Sequence, residues 1–359
     1  MTTPTKQLRC MTWNDPRGYG PLESVAAAFA ATPAGRGVTI AWDIQPLEGF
    51  ESRSVPELAR TYDLLNLDHP HLGEAAATGC LIPVGDLADE YLGPSLASYR
   101  VDGRLWAVPV DAACQVAAFR GDRLTAPPAS YDEVFELART RPVAASLTGL
   151  HSLMALLTLL AQQGTPLSHD PAAGWPEEDV LAPAAILLHR LARICLPESL
   201  DWNPLGLLAA MGQGRADYAV FTFAYVNFQK QGVRFVPVPG VRGGVLGGTG
   251  LAVSAHSCEP DAALAFAKFA GSPDVQATLW PEHGGQPAHR RAWDALAARD
   301  PFYRDLRPAV EAAWIRPRHA GWIRRQSAAG DAINRWLRDP AADPRQLRTS
   351  LAALEKPSP

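Results

Sequence analysis

The N-terminal part of the chain alternates between strand patterns and a helix pattern, and this alternation restricts the possible folds more than any other feature. Apolar runs at residues 8–13, 38–44 and 62–67 predict three strands. Between the first two, Leu22, Val25 and Phe29 fall on one face at helical spacing, with Pro21 expected in the first turn. Strands that alternate with helices favour an α/β fold with a parallel sheet.

A glycine-rich stretch at residues 240–287 adds a loop, a strand and two helices. Leu251 to Val253 is a short apolar run that predicts a buried strand. Residues 261–270 are apolar almost all round, which predicts a helix buried on most sides. Ser272 and Pro273 then supply a capping hydroxyl and a first-turn proline for a second helix.

Three motifs lie in this stretch: Gly247-Gly248-Thr249-Gly250-Leu251-Ala252-Val253, Ser272-Pro273-Asp274-Val275-Gln276 and Gly284-Gly285-Gln286-Pro287. In order and spacing they resemble the bacterial extracellular solute-binding proteins, in the maltose-binding-like branch that serves ABC importers. Weaker motifs agree in order along most of the chain, among them 63–68, 103–109, 117–122 and 212–223.

The resemblance implies a periplasmic-binding-protein-like type II fold, with two α/β lobes joined by hinge crossovers and a ligand cleft between them. The first lobe is expected at 1–111 with 250–300, and the second at 112–249 with 301–359. It also implies a substrate-binding component that captures a small polar solute, a carbohydrate or polyol being favoured, and that closes around it. The implied partners are the solute and the permease subunits of an ABC transporter, and the protein is expected to be a monomer.

Composition describes an ordinary globular chain. Apolar residues make up 47% and charged residues 19% of the 359 residues, which is typical of a folded protein with room for two cores. The net charge of -4 argues against nucleic acid as a partner, because that role needs a basic face. Five scattered cysteines indicate neither a disulfide framework nor a zinc site.

The first residues, Met-Thr-Thr-Pro-Thr-Lys, show no apolar signal region. The family resemblance implies a periplasmic or extracellular location, so either a signal was removed or replaced, or this homologue stays in the cytoplasm. The second reading leaves open two alternatives, a cytoplasmic ligand sensor or an enzyme on the same scaffold.

No motif predicts a catalytic residue, a metal ligand set or a cofactor. The chain has no G-x-S-x-G and no H-E-x-x-H pattern, and the glycines at 243–250 lack the Lys-Ser/Thr of a phosphate loop. His69-Pro70-His71 is the one close histidine pair, and the preferred reading is a loop at a strand end. We therefore expect binding without covalent chemistry.

The candidate ligand-binding residues combine aromatic faces with polar groups near strand ends, where ligands of α/β sheets bind. They are Trp13, Asn14, Arg17, Asp68, Asp111, Trp202, Phe221, Tyr225, Gly248 and Thr249. Arg17 and Arg242 also leave open a small carboxylate as the ligand, because an arginine fork suits an anion.

Overall fold

The computed structural model describes residues 6–47, 53–88, 90–240 and 243–355. The chain divides into two compact units. Unit 1 holds the described residues of Met1–Ala113, Gly247–Arg304 and Arg318–Trp322, and unit 2 holds those of Cys114–Leu246, Asp305–Pro317 and Ile323–Pro359. Arg242 lies outside the described residues.

The unit boundaries differ in detail from the expected lobe boundaries. The chain first passes from unit 1 to unit 2 after Ala113 and returns to unit 1 after Leu246. The sequence placed these two passages after residues 111 and 249. Both passages fall inside strands, β7 (Val108–Arg120) and β11 (Leu246–Ser254). Residues Arg318–Trp322, which the sequence placed in the second lobe, belong to unit 1.

The sheet of unit 1 is mainly parallel at its N-terminal edge. Strands β1 (Lys6–Trp13), β2 (Val38–Gln45) and β3 (Leu64–Leu67) lie in the order β2-β1-β3, with β1 parallel to both neighbours. Strand β11 runs antiparallel to β3, with Gly250 opposite Leu67, and β4 (Leu81–Ile82) pairs with its far end. A two-stranded ribbon, β5 (Arg100–Val101) with β6 (Arg104–Leu105), also belongs to this unit.

The sheet of unit 2 has the order β10-β7-β9-β8. Strand β10 (Val233–Pro237) and strand β9 (Tyr218–Phe223) both run antiparallel to β7, and β8 (Val143–Ala144) runs parallel to β9. Twelve of the 13 residues of β7 are buried, as expected for a central strand that is covered on both faces.

Helices cover the sheets of both units. Those in unit 1 are Pro16–Ala30, Val55–Ala59, Leu72–Thr78, Ser95–Ser98, Pro260–Ala270, Pro273–Ala277, Leu279–Glu282 and Arg290–Ala297. Those in unit 2 are Tyr131–Leu137, Gly149–Gln162, Glu178–Ile194, Pro204–Gly212 and Pro344–Ala353. Pro301–Glu311 and Trp322–Arg338 cross a unit boundary in sequence. Short 3-10 turns occupy His69–His71, Pro171–Ala173, Pro197–Leu200 and Val226–Gln231.

The first helix begins earlier than its sequence pattern predicted. Asp15 accepts a hydrogen bond from the Arg17 amide and caps a helix that starts at Pro16, so Pro21 lies inside the helix. The start at Pro16 places Arg17 in the first turn, directly after β1. This early start therefore sets the position of a candidate site residue.

Candidate functional site

Arg17 and Asp111 form a buried ion pair in unit 1. The Arg17 Nε donates to Asp111 Oδ1 at 2.9 Å, and the Arg17 Nη2 binds the second carboxylate oxygen. The side chains are 4% and 0% exposed. Burial raises the pKa of Asp111, while the Arg17 guanidinium and the Gln286 backbone hydrogen bond act in the opposite direction. The opposite charges of Arg17 and Asp111 therefore largely neutralise each other, and the two hydrogen bonds hold both side chains in place.

Trp13 and Asn14 lie where β1 ends. The Trp13 side chain is 3% exposed and packs so closely on Gly18 that a Cβ there would lie 2.6 Å from the indole ring. Asn14 is exposed, and its backbone amide donates to the Gln45 carbonyl at 2.8 Å. The glycine at position 18 thus lets a large aromatic ring lie next to the turn that carries Arg17.

At the end of β3 the Asp68 carboxylate contacts the next residue along the chain, His69. Its Oδ1 accepts from the His69 amide at 2.8 Å and lies 2.9 Å from His69 Nδ1. His69 and His71 are both buried in a 3-10 turn. Within the described residues no group of three or more His, Cys, Asp or Glu side chains is arranged to hold a metal ion.

Gly248 and Thr249 lie near the start of β11. Gly248 has φ +100°, and a Cβ there would lie 2.3 Å from the Asp111 carbonyl oxygen. The Gly248 carbonyl accepts from Tyr99 Oη at 3.4 Å. Thr249 is 5% exposed, and its hydroxyl has no hydrogen-bond partner among the described residues. The glycine-rich loop therefore brings β11 into backbone contact with the residue that pairs with Arg17.

We expect Gly248→Ala to lower the free energy of unfolding by about 1–3 kcal/mol, because alanine meets both a positive φ and a close backbone oxygen. Gly79→Ala is the matched control. Gly79 also has a positive φ, +64°, but a Cβ there meets nothing within 4 Å. Urea denaturation of both variants should show the larger loss for Gly248→Ala, and equal losses would contradict the close approach.

Gln286, a buried residue that was not among the candidates chosen from the sequence, is hydrogen-bonded to the backbone next to Asp111. Gln286 is 1% exposed. Its side-chain Nε2 donates to the Ala112 carbonyl at 3.2 Å, and its backbone carbonyl accepts from the Ala112 backbone amide at 3.1 Å. The signal for it was present in the Gly284-Gly285-Gln286-Pro287 motif. Gln286 therefore fixes the backbone immediately after Asp111.

The three candidates in unit 2 have different environments. Trp202 is half-buried, with the Arg215 guanidinium 5.1 Å from its ring centroid. Phe221 is 0% exposed and lies 6.3 Å from the Tyr131 ring, so it packs in the core of this unit. Tyr225 is 5% exposed and meets Phe228 edge-on at 6.4 Å.

A further polar group in unit 2 was not selected from the sequence. Gln115 Oε1 and His151 Nδ1 are buried without a hydrogen-bond partner among the described residues. Phe223, beside them, is half-buried, whereas Phe221 on the same strand is not exposed at all. No local motif marks Gln115 or His151, because they come together only when β7 pairs with β9 and the helix Gly149–Gln162 packs against Phe223.

The structure therefore joins some candidates and separates others. Arg17, Asp111 and Gly248 are in contact within unit 1, with Trp13 packed on the neighbouring turn. Trp202, Phe221 and Tyr225 belong to unit 2. Which of these ten residues touch a ligand remains a prediction.

None of the described helices is long and apolar enough to cross a bilayer. The five cysteines, all described, are free.

Comparison with known proteins identifies a family whose model matches most of the chain. A family model described as "Bacterial extracellular solute-binding protein" matches residues 25–289. No curated protein sequence gives a significant match.

Solved structures share the fold at low sequence identity. Maltose-bound MalE3 of T. maritima has 18% identity and a TM-score of 0.81, covering 97% of this chain and 99% of its own. An ABC transporter solute-binding protein from Thermotoga lettingae bound to α-D-tagatose has 15% identity and a TM-score of 0.84, covering 98% and 100%. One from Agrobacterium radiobacter in complex with ribitol has 18% identity and a TM-score of 0.81, covering 98% and 99%.

Proposed function

Because the chain belongs to the bacterial extracellular solute-binding proteins, we propose that it is the substrate-binding component of an ABC importer for a neutral, hydroxyl-rich solute. The observation that carries this proposal is the family match, which extends over residues 25–289. The similar solved proteins hold maltose, α-D-tagatose and ribitol, which makes a carbohydrate or polyol the first class to test.

The Arg17–Asp111 pair supports a neutral solute over a small carboxylate. An arginine fork recognises a carboxylate through two parallel hydrogen bonds. In this protein that fork is bound to Asp111, through both Nε and Nη2. A carboxylate ligand would have to compete with a buried internal carboxylate for the same donors, whereas a hydroxyl needs only one donor or acceptor at a time.

In the same proposal, binding shifts the population towards a closed form that the importer recognises, because the solute has a higher affinity for that form. No covalent step and no cofactor is needed. A periplasmic or extracellular location belongs to the proposal as well, in keeping with the description of the family. The cytoplasmic sensor and the enzyme on the same scaffold are the alternatives that an experiment must separate.

A thermal-shift titration tests the proposal. The probes are mono- and oligosaccharides and polyols, including maltose, D-tagatose and ribitol, with gluconate and citrate as carboxylate probes. A ligand at about 100 times its Kd adds about 2.7 kcal/mol to the stability of the folded state, which raises Tm by several degrees. We expect a saturable rise with at least one neutral probe.

Two controls make the result specific. A rise in Tm that grows without saturation reports solvent exclusion by an osmolyte and not binding. Chromatography of the probe after long incubation with the protein should recover it unchanged, and turnover would favour the enzyme instead. The absence of a saturable shift across the neutral probes contradicts the proposed solute class.

A further inference from the structure

Two side chains on one face of the unit 2 sheet, with a third on a neighbouring helix, are given no role by the proposed importer function. In the antiparallel pair β7–β9, Gln115 lies directly opposite Phe223. Residues directly opposite each other in such a pair project from the same face of the sheet. Gln115 and Phe223 therefore lie side by side on one surface.

His151 joins them from the first turn of the helix Gly149–Gln162. Its ring meets the Phe223 ring edge-on, with centroids 6.2 Å apart and an interplanar angle of 62°. The amide of His151 donates to the Thr148 carbonyl at 2.8 Å, which fixes the start of this helix. The three side chains of Gln115, His151 and Phe223 thus form one group, which we call the β9 face.

The polar atoms of the β9 face are buried but unsatisfied within the described residues. Gln115 is 1% exposed and His151 is 5% exposed, yet Gln115 Oε1 and His151 Nδ1 have no hydrogen-bond partner there. A buried polar group without a partner costs about 1–3 kcal/mol, so such groups in a folded protein call for an explanation. A bound solute that supplies the missing hydrogen bonds is such an explanation.

We propose that the β9 face is the solute-recognising surface of unit 2, with the Phe223 ring against an apolar face of a carbohydrate or polyol and Gln115 and His151 bonded to its hydroxyls. This proposal rests on the proposed function above. An aromatic ring with a few fixed hydrogen-bonding groups is the usual composition of a small-molecule site. A hydroxyl can donate to Gln115 Oε1 and can either donate to or accept from a neutral imidazole.

The protonation state of His151 is consistent with a neutral ligand on the β9 face. Burial, and after it the positive charge of Arg316, lowers the pKa of His151 to about 3, so the ring is uncharged at neutral pH. An uncharged ring does not attract an anion, and it keeps one nitrogen as an acceptor.

Matched substitutions test the β9 face. Gln115→Met removes the amide oxygen and Phe223→Leu removes the flat ring, and each puts an apolar side chain in its place. Since a neutral hydrogen bond and an aromatic ring contact are each worth about 1 kcal/mol, each variant should weaken binding of the neutral probe that stabilises the wild type by about threefold to tenfold. The Tm of unliganded Gln115→Met should not fall, because no internal bond of Oε1 is lost.

The controls are Gln162→Met and Phe235→Leu in the same unit. Gln162 already accepts from Tyr131 Oη at 2.7 Å and donates to the Pro239 carbonyl at 2.9 Å, and Phe235 is 3% exposed on β10. Both controls should lower Tm without changing Kd, which is the reverse of the pattern expected for the β9 face.

Isothermal titration calorimetry separates the outcomes. Wild-type binding of a neutral probe with an unchanged Kd in Gln115→Met and Phe223→Leu would overturn the β9 face while leaving the importer role intact. Wild-type binding of gluconate or citrate alone would overturn the ligand class of this surface. Failure of the wild type to bind any neutral probe would overturn the solute class and the β9 face together.

Discussion

Asp111→Asn should lower the free energy of unfolding by about 3–5 kcal/mol, because it breaks a buried ion pair by neutralising one partner. The substitution leaves the Arg17 guanidinium, 4% exposed, without its buried carboxylate. The desolvation cost of the arginine then remains while the attraction that offset it is gone. Chemical denaturation followed by circular dichroism measures the loss directly.

Two comparisons show whether this loss comes from the buried pair. Asp86→Asn breaks a pair with Arg100 in which the two side chains are 90% and 37% exposed, so it should cost at most about 1 kcal/mol. The double variant Arg17→Met with Asp111→Leu removes both charges and should recover most of the stability, since an apolar pair of similar volume is often neutral. If Asp111→Asn costs no more than Asp86→Asn, the buried pair is not an important source of stability.

The fold was predictable because local patterns and motif order agreed. The three N-terminal strands were expected at 8–13, 38–44 and 62–67 and are found at Lys6–Trp13, Val38–Gln45 and Leu64–Leu67. The α/β fold class and the family resemblance are both confirmed by the comparisons. A parallel sheet with interleaved helices leaves a strong periodic signal in the sequence.

A proline accounts for the error at the start of the first helix. The sequence pattern places Pro21 in a first turn, but this proline lies inside a helix that begins at Pro16. Near the N-terminal end of a helix a proline removes only one hydrogen bond, and other signals prevail. Here these signals are the Asp15 cap and the first-turn proline Pro16.

The site was less predictable because pairing joins residues distant in sequence. The sequence offered Arg17 as a free fork for an anion, but its partner Asp111 is separated by 94 positions. Phe221 and Phe223 lie on the same face of β9, because successive side chains of a strand alternate between its two faces. Only the structure shows that Phe223 is the more exposed of the two. Residue type can thus indicate a capacity to bind, while tertiary contacts determine which groups are already occupied.

The wild-type protein should lose about 3 kcal/mol of stability through His151 alone when the pH falls from about 6.5 to about 4. The pKa of His151 is lowered to about 3 by burial and, secondarily, by the positive charge of Arg316. In the unfolded chain the histidine pKa is about 6.5, so below this pH the unfolded state binds the additional proton. The stability contributed by the neutral ring is therefore complete above about pH 6.5 and decreases by about 1.4 kcal/mol per unit as the pH falls towards about 3.

The difference between wild type and His151→Gln isolates this effect, because carboxylates titrate in both proteins and cancel. Denaturation at several pH values between about 7 and about 4 should show that the stability of the wild type relative to the variant falls by about 3 kcal/mol. His256→Gln removes an exposed histidine and should follow the wild-type curve at every pH. Parallel curves for wild type and His151→Gln would mean that the His151 ring can be protonated in the folded protein, and its buried Nδ1 would then be a donor to a solute and not an acceptor.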